Sequence, residues 1–355
     1  MLNRIMNTAV RGLAIVVAMV CVLGAAPAMA QFGMGGPGEG MMNLTLTRRG
    51  VEAYAKILGL DDEQTDVALT LLEGHQTAHK TMMKEVQLAM QGIQERVQET
   101  GDPSVFQKEL PRMTREFTEK SESLEKGFFD DLRAVASEAQ LANWAGVERH
   151  RRRETGLRFG FVSGQAVDLI AVVERSRARP ENPQVFDELL GQYEMEMDKD
   201  ILVIEKMGKD AQKDMVDSGA MFDMTKIQKM MREFYGSAAR LRDTNRDYAR
   251  RLMPLMDAEH REAFDAEVKR RSFPRIYKVS HTAKVLGAAL AFDDLDATQR
   301  EALTTLAAAY GRDAAVANEK WAKATEEREA EAGGTIMVMM EGMMGGGKGN
   351  DVVSE

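Results

Sequence analysis

The sequence predicts an all-α protein built of tandem long antiparallel helical hairpins, extended rather than compact. Three observations predict it. Apolar residues recur at steps of three and four over stretches longer than ordinary globular helices. Four segments share one helix-starting pattern: a short capping side chain, two polar residues, then Gln or His. They are Asp61 to Gln64, Ser137 to Gln140, Asp257 to His260 and Asp296 to Gln299. In such a capping box the first side chain accepts from a first-turn N–H and the fourth residue reaches back to the cap. Finally, only 6% of residues are aromatic and 8 are proline, while 29% are charged and 26 are methionine. That balance suits amphipathic helices meeting along narrow seams better than thick cores.

Residues 1–30 read as a secretory signal. Arg4 and Arg11 precede the apolar run Leu13 to Leu23, and Ala28-Met29-Ala30 supplies the small residues a signal peptidase needs. The run is too short for a membrane span, so export without membrane insertion is expected. The single cysteine, Cys21, lies inside this segment. The chain beyond residue 30 therefore carries no disulfide, thiol nucleophile or thiolate metal site. The formal net charge is −9, and loss of the two signal arginines makes the remainder more acidic. No attraction to nucleic acid is expected of such a chain.

Residues 31–46 form a Gly/Met-rich leader expected to be disordered. From Thr47 a short helix carries Val51, Tyr54, Ala55 and Leu58 and stops at Gly59. The Asp61 box opens a long helix whose apolar face reads Val67, Leu71, Ala78, Met82, Val86, Ala89, Ile93 and Val97. At 1.5 Å per residue it makes a rod of about 54 Å. Thr100-Gly101-Asp102-Pro103 breaks it. A second rod returns through Phe106, Leu110, Met113, Phe117, Leu124, Phe128, Leu132 and Val135, and the Ser137 box starts a short helix with Leu141, Trp144 and Val147. These elements make up a first repeat, 47–157.

Residues 158–275 adopt the same plan. A helix spans Ala166 to Val173, and Asn182-Pro183 caps a long helix with Phe186, Leu190, Tyr193 and Met197. After a turn at Asp217-Ser218-Gly219, Met230-Met231-Arg232-Glu233-Phe234 matches Met113-Thr114-Arg115-Glu116-Phe117, and Phe264 falls where Trp144 does. Matched positions are 116 to 121 residues apart, the signature of an internal duplication. A partial third repeat, 276–332, has a short helix from Val279 to Leu290 and a long one through Leu303, Leu306, Tyr310, Val316 and Trp321. It has no returning helix, so its apolar stripe requires another cover. A Met/Gly-rich tail, 333–355, closes the chain.

The capping motif, placed ahead of long helices in a Met-rich chain with an export signal, resembles the LTxxQ family of bacterial periplasmic proteins, the Spy and CpxP group. In this sequence Leu60 to Gln64, Ala136 to Gln140, Met256 to His260 and Leu295 to Gln299 carry the resemblance, with Asp or Ser where the family has Thr. It implies a long helical hairpin between two motifs, a cradle-shaped homodimer, and work as an ATP-independent chaperone or envelope-stress factor on protein clients or an envelope partner protein. Relatives are associated with metal resistance.

Chemistry-bearing residues are few. His75 and His79 lie four apart on one helix, with Met82 and Met83 a turn further, and imidazoles with thioethers suit copper. Against this, His75 aligns internally with Tyr193 and Tyr310, which favours a semi-polar edge of the seam. Two histidines also supply only half of a tetrahedral zinc site, so weak metal binding is expected. Met337, Met339, Met340, Met343 and Met344 suit varied apolar clients, or else cover the third repeat's stripe. The basic runs at 149–153 and 269–271 complement helix dipoles rather than bind an anionic partner. No Glu-x-x-His, His-Glu-x-x-His, P-loop or GxSxG motif occurs. The expectation is a non-enzymatic, cofactor-free binding protein of the envelope, with a metal-handling protein or a structural spacer as alternatives.

Overall fold

The computed structural model describes residues 46–333, except 103, 158–159, 177–179 and 219–223. At 106–107, 110–111, 114, 212–218, 224–228 and 230–231 it describes the backbone alone. The protein is all-α: among the described residues there are α-helices, one 3-10 turn and no strand. In order these are α1 (Arg48–Leu58), α2 (Asp62–Thr100), α3 (Ser104–Val135), α4 (Glu138–Leu141), α5 (Trp144–Gly156), α6 (Leu169–Ser176), α7 (Pro183–Ser218), α8 (Met224–Leu252), α9 (Ala258–Ser272), α10 (His281–Leu290) and α11 (Ala297–Ala332). No described helix is long and apolar enough to cross a membrane. The chain divides into two compact units, one from Met1–Arg158 with Glu205–Ile227, the other from Phe159–Ile204 with Gln228–Glu355.

In the first unit, local chemistry sets each helix boundary. Thr47 caps α1 by accepting from the Gly50 N–H at 3.0 Å. Gly59 ends α1 in the left-handed region at φ 70°, and the Leu60 N–H then reaches back to the Ala55 carbonyl. Gly101 ends α2 in the same way at φ 66°. A core of Leu46, Val51, Tyr54, Leu58, Ala68, Leu72, Phe128, Leu132 and Val147 joins α1 and α5 to the start of α2 and the end of α3. Beyond that core α2 and α3 meet only along a seam. Their ion pairs run in opposite directions along the two helices, Arg96 with Glu109 and Lys120 with Glu85.

The seam face of α2 is not the one the apolar pattern selects. Ala68, Leu72, His79, Met82 and Ile93 are buried, and His75, Val86, Met90 and Val97 are half-buried between them. These positions alternate steps of four and three, the spacing of a coiled-coil seam. Val67 is 44% exposed, and Leu71, Ala78 and Ala89 sit beside the buried line rather than on it. The expected face is therefore rotated by one residue along half its length. A stripe two residues wide leaves its phase uncertain by one position when Ala and His occupy inward sites.

The first two capping boxes form as expected, and they are joined to each other. Gln64 N–H donates to Asp61 Oδ1 at 2.8 Å and Gln64 Oε1 accepts from Asp61 N at 3.1 Å. Ser137 and Gln140 repeat this pattern at 3.4 and 2.8 Å. The two amides then face one another. Gln64 Nε2 donates to Gln140 Oε1 and to the Val135 carbonyl, while Gln140 Nε2 donates to Gln64 Oε1 and to the Gly59 carbonyl. Both side chains thereby use all four of their hydrogen-bonding positions. The helix expected after Ser137 is interrupted at Ala142 and Asn143, giving α4 and α5.

In the second unit Asp168 caps α6 through the N–H groups of Ile170 and Ala171, so this helix begins three residues later than expected. Asn182 caps α7, accepting from Val185. Tyr193 on α7 bonds Asn245 on α8, Glu196 accepts from the Tyr248 hydroxyl, and Asp200 accepts from Thr244. Asp257 caps α9, but the box is half-formed: His260 Nδ1 lies 2.7 Å from the Asp257 carboxylate instead of reaching the cap N–H. An imidazole is too short and rigid to do what Gln does. Asp296 and Gln299 form a complete box at the start of α11. The inward line of α11 runs through Leu303, Ala307, Tyr310, Ala314 and Asn318 to buried Ala322 and Glu329. Leu306, Val316 and Trp321, expected on its covered face, are exposed instead.

The amide pair explains why glutamine, rather than glutamate, stands at the fourth position of both boxes. Gln140→Glu keeps the acceptor that a capping box needs but removes both donated bonds and aims a carboxylate at the Gly59 carbonyl. Urea unfolding should show a loss of about 1–2 kcal/mol. A variant as stable as the parent would mean that only the local box matters.

Candidate functional site

Two polar groups of the first unit depart from what a helical scaffold requires. The first is a buried ion-pair chain between α1, α3 and α5. Arg151 is 9% exposed and grips Glu125 with two bonds, Nε to Oε1 at 2.7 Å and Nη2 to Oε2 at 2.9 Å. Its third nitrogen faces Glu154 at 3.7 Å, and Glu154 accepts from the Tyr54 hydroxyl at 2.5 Å. Burial works against the Arg151 charge, but the Glu125 bonds outweigh it and hold the guanidinium protonated. Burial, then the Glu154 charge, pushes the Tyr54 hydroxyl far up. Of the 149–153 run Arg151 belongs to this cluster, while Arg153 stands in the last turn of α5, where complementing the helix dipole was expected. The cluster's signal was present as spacing, because Val147, Arg151 and Glu154 fall on one face of α5. At 269–271 the arginines are likewise occupied locally, Arg270 and Arg271 both bonding Glu267.

The second group is the histidine pair. His75 and His79 lie on the α2 seam, His75 half-buried as a semi-polar edge position allows, with ring centroids 6.4 Å apart and planes at 29°. His79 is 7% exposed. The His75 ring meets Phe128 of α3 edge-on at 5.8 Å. Nδ1 of His75 is buried, and no described group bonds it. Burial is the main cause holding the pKa of His75 down, opposed by the Leu124 backbone and the Glu125 charge and aided by Arg151. For His79, burial acts first and the neighbouring His75 second. Both imidazoles are therefore neutral near pH 7. Met82 is buried one step further along the seam, and Met83 is half-buried beside it.

Other candidates offer less. An open hollow of about 370 Å³ in the second unit is lined by Asp243, Arg246, Ala249, Phe264 and Val268, but Arg246 is paired with Glu326. Among the described residues no three His, Cys, Asp or Glu side chains are grouped to hold a metal ion. Val279, Val285, Phe292, Leu306, Val316 and Trp321 are more than half exposed, which places half of the large exposed apolar side chains between 279 and 321. Residues 1–30, the leader up to 45, and the tail with Met337, Met339, Met340, Met343 and Met344 lie outside the described residues. No protein-family model, curated protein or solved structure matches the chain.

The neutral histidines give stability a pH dependence with a definite sign. Their folded-state pKa values lie below the ordinary 6.5, so the unfolded chain binds more protons just below that pH. Stability is full above about 6.5 and is lost as pH falls through the folded values. Moving from about pH 7.5 to 5.5 should lower the urea midpoint of the wild type more than that of a His75→Phe/His79→Leu variant. Equal losses would show that other groups carry the acid sensitivity.

Proposed function

We propose that the chain is an exported helical binding protein of tandem antiparallel hairpins, related to the LTxxQ group, that holds unfolding proteins in the cell envelope without nucleotide. The hairpin reading is supported by the opposed pairings of α2 with α3 and of α7 with α8. Support for tandem copies comes from Gln76 donating to the Leu46 carbonyl, Tyr193 to the Val167 carbonyl, and Tyr310 lying 2.6 Å from Ser280. In each case a long helix ties down the chain just ahead of a short one. Export is supported by residues 1–30.

The observation that carries the binding role is the apolar surface of α10 and α11. Phe292 is 59% exposed and Trp321 52%, and large exposed aromatic and branched side chains gathered in one stretch mark a contact surface for another protein. No nucleotide motif is present, so release follows from weak, reversible contact as the client folds. A structural spacer uses the same rods but needs no client surface.

Equimolar protein should slow aggregation of an unrelated unfolding protein, measured by light scattering without ATP. Leu306→Ser with Trp321→Ser should weaken that effect, and His75→Phe with His79→Leu should leave it intact. A further arm replaces Met337, Met339 and Met340 by Ser to ask whether the tail shares the task. No suppression of two dissimilar clients at severalfold excess would reject the holdase and leave the spacer.

A further inference from the structure

We propose that His75, His79 and Met82 form a binding site for a soft monovalent cation, Cu(I), inside the seam between α2 and α3. This inference stands independently of the holdase role. It begins with a buried ring nitrogen: Nδ1 of His75 is bonded by no described group. An imidazole nitrogen left out of the fold's hydrogen bonds is available to ligate a metal. The buried His79 ring lies next to it on the same helix.

The separation of the rings also fits. Two imidazoles binding one ion from opposite sides, each with a metal–nitrogen bond near 2 Å, place their ring centres about 6 Å apart. The observed value is 6.4 Å. His75, His79 and Met82 succeed one another at steps of four and three, so all three lie on the seam line. Met82 brings a buried thioether. Imidazole with thioether, in a closed site of two or three ligands, suits Cu(I). Zn(II) asks for four ligands, and the described residues group no third His, Cys, Asp or Glu with this pair. Glu125, whose charge acts on His75, is already held by Arg151, so a single positive charge is also easier to hold in the seam than a double one. Coordination forms between neutral ligands and one cation, so no redox partner or proton acceptor is required.

The test titrates the full chain with Cu(I) under reducing, anaerobic conditions against a chromophoric Cu(I) chelator, with Zn(II) run in parallel. One Cu(I) equivalent should be held by this site, with affinity lowered on the order of tenfold or more in His75→Phe/His79→Leu and in Met82→Leu. Truncation after Gly333 should leave that equivalent in place. Among the 5 histidines, the ring proton signals of His75 and His79 should shift together on loading, which is readable on the wild type even where a variant folds poorly. The proposal fails if Cu(I) retention is the same in the histidine and methionine variants, if it disappears on truncation, if the two ring signals do not move, or if Zn(II) is held as tightly.

Discussion

The amide pair of Gln64 and Gln140 fixes the geometry on which the first unit depends. A long helix is easy to specify along its length and hard to specify at its ends, because the first N–H and last C=O groups have no partners within it. Here the same two side chains close the start of α2, the start of α4, the end of α1 at the Gly59 carbonyl and the end of α3 at the Val135 carbonyl. Four chain ends are thus bound to one pair of residues 76 positions apart. With that end fixed, α2 and α3 need only a narrow seam to remain in register, and one short apolar core next to the amides suffices.

A narrow seam has its own consequence. Each inward position carries a large share of the contact, so a polar side chain there must either be satisfied or be costly. In the second unit Tyr193 accepts from the Leu169 N–H and bonds the Val167 carbonyl and Asn245, while Asn245 also donates to the Gly164 and Gln165 carbonyls; Gln165 Nε2, by contrast, is buried with no described partner. Buried Glu329 accepts from both the backbone and the hydroxyl of Ser163. In the first unit Arg151 is hydrogen-bonded to Glu125, and Tyr54 to Glu154, while Arg151 Nη1 meets Glu154 only as an ion pair at 3.7 Å.

The fold class was legible in the sequence because it rests on local signals. Thr47, Gly59, Asp61, Gly101, Ser137 and Asp296 each act on a neighbour within a few residues, and each does what its chemistry predicts. The features that stayed hidden depend on residues far apart or on helix phase. Nothing local says that the amides of Gln64 and Gln140 meet, and a capping box alone permits Glu as well as Gln. Helix phase failed where the inward residues were small or polar: Ala68 in α2, and Ala314 and Asn318 in α11, weigh little in an apolar pattern beside Val67, Leu306 and Trp321. His75, read as a semi-polar edge of the seam, is half-buried there, and His79, four residues on, is buried.

In that seam an imidazole gives up hydration that bonds within the protein must replace, and no described group bonds Nδ1 of His75. An aromatic or aliphatic residue there would pack against Phe128 without any such loss, and the tether to the preceding segment is made by Gln76 rather than His75. Tyr193 and Tyr310 both commit their hydroxyls to the fold. A buried imidazole nitrogen left unbonded, with a second imidazole and a thioether next along the same line, is therefore a costly choice for a scaffold position, and the proposed Cu(I) would offset that cost.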